Sequence, residues 1–240
     1  MRHLGKKLLA ASILASFGGL AAGGCADNES MLFIVGVIVP EPPPDCTVTP
    51  DEGATIRQGG LLDVAFTTTY TGSLLIGNQL TRRGSRDEIK TESSRITIRG
   101  AEVQIFTPQQ TLISEYTVAA TGFVNESVSS DAAYGSSAVT LIDPATGAGF
   151  ANSLARGETS AVVVEVRVFG DSLGGSEITS AKLTYPITIC NECTLICPPK
   201  DPSLDVPCRV GNDDVLDCAA CAAPGNRCQA LLDASGREAT

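Results

Sequence analysis

Val162-Val-Val-Glu-Val-Arg-Val-Phe169 alternates with a period of two. Val162, Val164, Val166 and Val168 form one apolar row, while Val163, Glu165, Arg167 and Phe169 form a mixed one. Successive side chains of a strand point to opposite faces, so this pattern belongs to a sheet with one face in a core and one in water.

The same signal recurs in both directions. Ile96 and Ile98 alternate with Arg95, Thr97 and Arg99, and Val103 and Ile105 alternate with Glu102 and Gln104. Leu62, Val64 and Phe66 share one strand face, with Asp63 on the other. Leu74 to Ile76 precede Gly77-Asn78, which reads as a turn. Leu112 to Val118, Val139 to Ile142 and Ile178 to Ile189 complete the series, and Gly170-Asp-Ser-Leu-Gly-Gly175 reads as a hairpin turn. No stretch between Cys46 and Cys190 sustains helical spacing. The pattern predicts an all-β fold: an antiparallel β-sandwich, immunoglobulin-like in general shape, with a small barrel as the competing architecture.

Met31-Leu-Phe-Ile-Val-Gly-Val-Ile-Val39 is too short to span a bilayer and rich in β-branched residues, so it reads as a buried strand that opens the domain. Pro40-Glu-Pro-Pro-Pro44 reads as a stiff extended crossing. The sandwich is assigned to residues 31–189. Beyond it the alternation stops, and residues 190–228 hold seven cysteines, a loop-dominated extension too small to build a core without cross-links. Residues 229–240 form a polar tail, expected to be disordered.

The first 24 residues have the layout of a secretory signal peptide: a basic head, an apolar run from Leu8 to Ala22, then small residues. Ala22-Gly-Gly-Cys25 resembles the bacterial lipobox, with Ala22 where Leu is most common. That resemblance implies cleavage before Cys25, a diacylglyceryl thioether on its sulfur and acylation of the new amine. Residues 25–30 would then be a lipid-anchored tether. One acyl chain holds a protein at a membrane only marginally, whereas two or three hold it durably. Ala26, standing where Asp would favour inner-membrane retention, leans the expected location toward the outer membrane, with Asp27 pulling the other way. The alternative is an ordinary cleavage site, with Cys25 left to join a disulfide.

Cleavage also alters the composition. The only histidine, His3, is removed, and loss of Arg2, Lys6 and Lys7 takes Lys+Arg from 17 to 14 against 27 acids. The formal charge moves from −10 to −13. Such a chain repels phosphate backbones, which excludes nucleic acid as an expected partner. The membrane, through the anchor, and an envelope protein are the partners expected instead.

With Cys25 lipidated, eight cysteines remain: Cys46, Cys190, Cys193, Cys197, Cys208, Cys218, Cys221 and Cys228. An even number in an exported chain reads as a disulfide framework whose connectivity the sequence does not fix. Cys46 stands 144 positions before the next cysteine, so its bond must tie the start of the domain to the far end. The competing reading is a zinc site on Cys190-x-x-Cys193 and Cys218-x-x-Cys221, with 24 residues between the pairs. An oxidising compartment disfavours it, and no metal or other cofactor is expected.

Asp45-Cys-Thr-Val-Thr49, Leu75-Ile-Gly-Asn-Gln-Leu80, Glu92-Ser-Ser-Arg-Ile-Thr-Ile-Arg-Gly-Ala-Glu-Val103 and Thr184-Tyr-Pro-Ile-Thr-Ile-Cys190 resemble segments of uncharacterised predicted lipoproteins of myxobacteria and relatives. The likeness spans most of the mature chain. It implies a location and an architecture, and it carries no activity and no functional residues.

Catalytic signatures are weak. Gly170-Asp-Ser-Leu173 spells the esterase signature in which the Ser is the nucleophile, but no His follows it to take the proton from Ser172. Lys90, Lys182 and Lys200 are the only lysines left for Ser–Lys chemistry, each amid polar residues. Gly211-Asn-Asp-Asp-Val-Leu-Asp217 is acidic but lacks the alternating ligands of a calcium loop. Thr81-Arg-Arg-Gly-Ser-Arg86 reads as a solvated basic loop, with anionic headgroups as its other prospect. The expected function is a non-catalytic binding or structural module of the envelope. The alternative is a carboxylate-dependent hydrolase of cell-wall or exogenous polymer, recognisable by two facing buried carboxylates in a cleft.

Overall fold

The computed structural model describes residues 31–81, 94–128, 131–196 and 207–217. Two sheets share one core. The first has the order β2-β1-β4-β7, built from β1 (Leu32–Ile38), β2 (Ile56–Arg57), β4 (Tyr70–Asn78) and β7 (Ala133–Ile142). The second has the order β3-β10-β8-β5-β6. Its strands are β3 (Gly60–Asp63), β5 (Ile96–Phe106), β6 (Leu112–Val124), β8 (Thr159–Ser172) and β10 (Leu183–Cys190), with β9 (Glu177–Thr179) also paired to β8. β11 (Leu195–Ile196) and β12 (Leu216–Asp217) form a separate two-stranded sheet.

β8 sits at the centre of the second sheet, between β10 and β5. Val162, Val164, Val166 and Val168 are fully buried, and the intervening residues are half-exposed, as the alternation requires. These valines meet Val103 and Ile105 of β5 and Leu74, Ile76, Val139 and Leu141 of the first sheet in a single hydrophobic cluster. Pairing is antiparallel apart from β3 on β10 and β11 on β12. The sheets also draw together along one side. The Ser137 hydroxyl of β7 donates to the Thr121 carbonyl of β6, and the Tyr116 hydroxyl of β6 to the Thr140 carbonyl. Gly135 lies at this corner, where a Cβ would come within 2.4 Å of the Phe123 carbonyl oxygen.

Several local expectations are corrected. A helix, α1 (Pro144–Ser153), interrupts the strands. Its residues carry no helical apolar stripe to read. Asp143 starts it, accepting from the Ala145 and Thr146 N–H groups, with Pro144 supplying a preset φ at the first turn. Gly147 is its buried residue and packs so closely that a Cβ there would lie 1.9 Å from the Thr68 carbonyl oxygen. Gly77-Asn78 is the end of β4 and no turn, with the Phe33 ring lying over Gly77. β8 runs on through Asp171 and Ser172, so the hairpin begins at Leu173. The proline stretch folds back on itself, with the Glu41 N–H bonded to the Thr47 carbonyl. β3 stops at Asp63, leaving Phe66 in the following turn, and Asp63 itself is wholly buried and not on a wet face.

The two ends of the molecule differ. At one, β1 begins, and Asn78 joins the sheets by donating to the carbonyls of Ser94 and Asn125. At the other lie α1, the Pro40–Pro44 turn and the described parts of the cysteine-rich segment. Those parts build no core of their own. Residues 207–217 return to the sandwich, where the Asp63 N–H donates to the Gly211 carbonyl and the Asp213 N–H to the Leu61 carbonyl.

Candidate functional site

Ionisable and sulfur chemistry collects at this second end. Cys46 is bonded to Cys208 across 162 positions, and Cys190 to Cys193 within one turn. Cys25, Cys197, Cys218, Cys221 and Cys228 lie outside the described residues, as do residues 82–86 of the basic loop. Cys190, Cys193 and Asp63 bring potential metal ligands together. The two sulfurs are joined as a disulfide, and they offer no thiolate while it stands. The carboxylate is engaged as well. Asp63 Oδ1 accepts from the Ala65 and Glu192 N–H groups, and Oδ2 from the Thr194 N–H and hydroxyl, at 2.8–3.1 Å. Asp63 thus organises the Cys190–Cys193 turn, delivered by a strand about 130 residues earlier in the chain.

Beside it lies a phenol–carboxylate cluster. The Tyr70 hydroxyl is 2.9 and 3.1 Å from the two oxygens of Asp213 and 3.1 Å from the Tyr185 hydroxyl. Arg57 Nε stands 3.5 Å from Asp213, whose Oδ1 also accepts from the Leu61 N–H. Neighbouring residues of the same segment grip β4. Asn212 accepts from the Thr71 N–H and donates to the Thr69 carbonyl, while Arg209 donates to the Thr71 carbonyl and to Ser73 Oγ. The acidic loop considered for calcium therefore turns Asn212 and Asp213 inward, as fasteners.

Burial pushes Asp213 above the usual carboxylate range, outweighing the Leu61 N–H, Arg57 and Tyr70, which pull the other way. Its contribution to stability is fully present below the ordinary carboxyl pKa and is lost as pH rises through the folded value. Burial likewise raises the phenols. Tyr70 is driven up by desolvation and then by the charge of Asp213, Tyr185 by desolvation against the Tyr70 hydrogen bond, and Tyr116 by desolvation and Asp143. Asp143 goes the other way, because bonds from Thr146 and Ala145 outweigh its desolvation.

An alkaline prediction follows from the raised phenols. Their stabilising share is intact below the unfolded pKa near 10 and falls as pH climbs above it, by about 1.4 kcal/mol per pH unit for each buried phenol. Tyr70 and Tyr185 are 0% and 2% exposed. Tyrosinate absorbance near 295 nm should rise in step with loss of the β-sheet circular dichroism. Smooth ionisation of all four tyrosines near pH 10 in a still-folded chain would contradict this.

Two concave surfaces are formed by the described residues. On the outer face of the second sheet, a shallow hollow of about 230 Å³ is lined by Glu102, Gln104, Glu115, Glu165, Arg167 and Lys182. Lys182 Nζ lies 2.6 Å from Glu165 and 3.3 Å from Gln104 Oε1, and Gln104 in turn donates to Glu115. Across the Cys46–Cys208 bridge, a groove of about 350 Å³ is walled by Val39, Pro40, Pro42, Pro43, Pro207 and Val215, with Arg57 and Asp214 at its side. Ser172 lies in neither. It is buried at the end of β8, where its hydroxyl accepts from the Ser176 N–H and shapes the hairpin.

A scan of the sequence against protein-family models gives no match, and no curated protein matches it either. The fold and the clusters just described are therefore read on their own chemistry. Sequence reasoning missed Asp63, Tyr70, Tyr185 and Asp213 as a group. The one signal available was the isolation of Cys46, which already required the chain's ends to meet.

Proposed function

We propose that the chain is an exported lipoprotein anchored through Cys25, facing the cell envelope and leaning toward the outer membrane, which serves there as a non-catalytic binding or structural module. The likeness to predicted myxobacterial lipoproteins belongs to the same reading. The observation that carries the module over the hydrolase is how the buried Asp63 and the half-buried Asp213 are used. Asp63 accepts four hydrogen bonds from its own chain, and Asp213 is bound to Tyr70, Leu61 and Arg57. Both carboxylates are spent on holding the backbone, whereas a glycosidase needs two that face a substrate. The acids of the outer-face hollow open to water, and Glu165 there is tied to Lys182. Among the described residues, the charged hollow and the proline-walled groove offer surface for a partner.

Replacing Cys25 by serine tests the anchor. The variant should appear in the soluble envelope fraction, while the parent chain pellets with membranes and carries acyl mass. Retention of the serine variant with membranes overturns the reading. Crosslinking the parent chain in cells, followed by mass spectrometry, tests the module. Recovery of one recurrent envelope protein supports it, and release of sugar or peptide products by the purified chain contradicts it.

A further inference from the structure

The three most exposed large apolar side chains among the described residues are Val128 at 79%, Leu173 at 58% and Phe123 at 53%. All three sit at the end of the molecule where β1 begins. Phe123 is next to the last residue of β6, and Leu173 starts the turn after β8; both strand ends flank Ile96, the first residue of β5. Val128 follows Ser127, which bridges to Thr81 and donates its N–H to the Leu80 carbonyl. Arg95 draws two of the three together. Its guanidinium lies 4.1 Å from the centroid of the Phe123 ring, and its carbonyl accepts from the Leu173 N–H at 2.9 Å.

The start of the described chain is at the same end. Met31 accepts from the Gln79 N–H, and Leu32 pairs with Asn78. Six backbone steps separate Cys25 from Met31, a reach of at most about 20 Å. An anchored Cys25 would therefore hold this end against the bilayer and leave the disulfide-bonded end pointing away. Aromatic and aliphatic side chains beside a guanidinium suit the boundary between headgroups and acyl chains, where the rings enter and the cation meets phosphate.

We propose that this strand end is a membrane-contact face, with Phe123, Val128 and Leu173 entering the lipid interface and Arg95 meeting anionic headgroups. The inference rests on the Cys25 anchor and deepens it, since it gives the anchored domain an orientation. Exposed apolar groups also occur elsewhere, as at Leu112 (49%), which makes that residue a matched control at the opposite strand end.

The chain has no tryptophan, so Phe123→Trp and Leu112→Trp each place a single reporter. The full acylated chains are reconstituted in phosphatidylethanolamine–phosphatidylglycerol vesicles with brominated acyl chains. The Phe123→Trp chain should show blue-shifted emission and several-fold stronger quenching than Leu112→Trp, and adding Val128→Glu and Leu173→Glu should abolish the difference. Equal quenching at both positions, in chains whose intact mass shows acylation, overturns the face and leaves the anchor standing. Unacylated chains that still quench selectively at position 123 uphold the face as a lipid-binding surface in its own right, and the Cys25 variant in cells decides the anchor separately. A blue shift without vesicles, accompanied by dimers in sedimentation, assigns the face to a second copy and overturns the proposal.

Discussion

Asp63→Ala should lower the stability of the fold by about 3–5 kcal/mol, read as a fall in the urea midpoint with an unchanged slope. The carboxylate is 0% exposed and accepts from Ala65, Glu192 and twice from Thr194. Removing it leaves four donors facing a cavity, and a buried donor without a partner costs on the order of 1–3 kcal/mol. The loss would be a large part of the roughly 5–15 kcal/mol that holds a typical domain together. Asp63→Asn separates shape from chemistry. It fills the same volume but points an amide N–H₂ at N–H groups, so it should recover only a minor share. A shift below about 1 kcal/mol for the alanine variant would show that the Cys190–Cys193 turn is held by other means.

Loss of the Cys46–Cys208 bond should have a comparable effect. Closing a loop of 162 positions restricts the unfolded chain by about 5 kcal/mol in the chain-entropy model, against about 2 kcal/mol for the short Cys190–Cys193 loop. Replacing both Cys46 and Cys208 by serine avoids a stray thiol. That double variant should lose more stability than the corresponding Cys190/Cys193 pair. Hydrogen exchange would add a spatial check, since the amides of Asp213 and Leu216 should lose protection before those of β8. An equal or reversed order would mean that Arg209, Asn212 and Asp213 hold the segment without the covalent tie.

How these features relate to what the sequence discloses depends on where each one's cause lies. The β8 alternation is legible because its cause is local: one face of one strand is wet, and the residues record it. The helix is hidden for the opposite reason. Gly147 and Gly149 break any apolar stripe, and the stop-start signal of Asp143-Pro144 lies in a turn-rich stretch that also suits a loop. Asp63 and Asp213 mislead because acids in a strand or loop ordinarily face water. Their inward placement depends on donors that arrive from the other end of the chain, 129 and 152 positions away. Cys46 was informative only through its isolation, which demanded a distant partner without naming Cys208.

The Cys46–Cys208 bond also makes most of the domain a covalent circle. Every loop between Cys46 and Cys208 lies on that circle, including the connection between Thr81 and Ser94. A protease that nicks any one of these loops produces two fragments that stay joined through sulfur and packed through the shared valine core. Such a chain survives a single cut without shedding a piece, and only a second cut or a reductant would dismantle it.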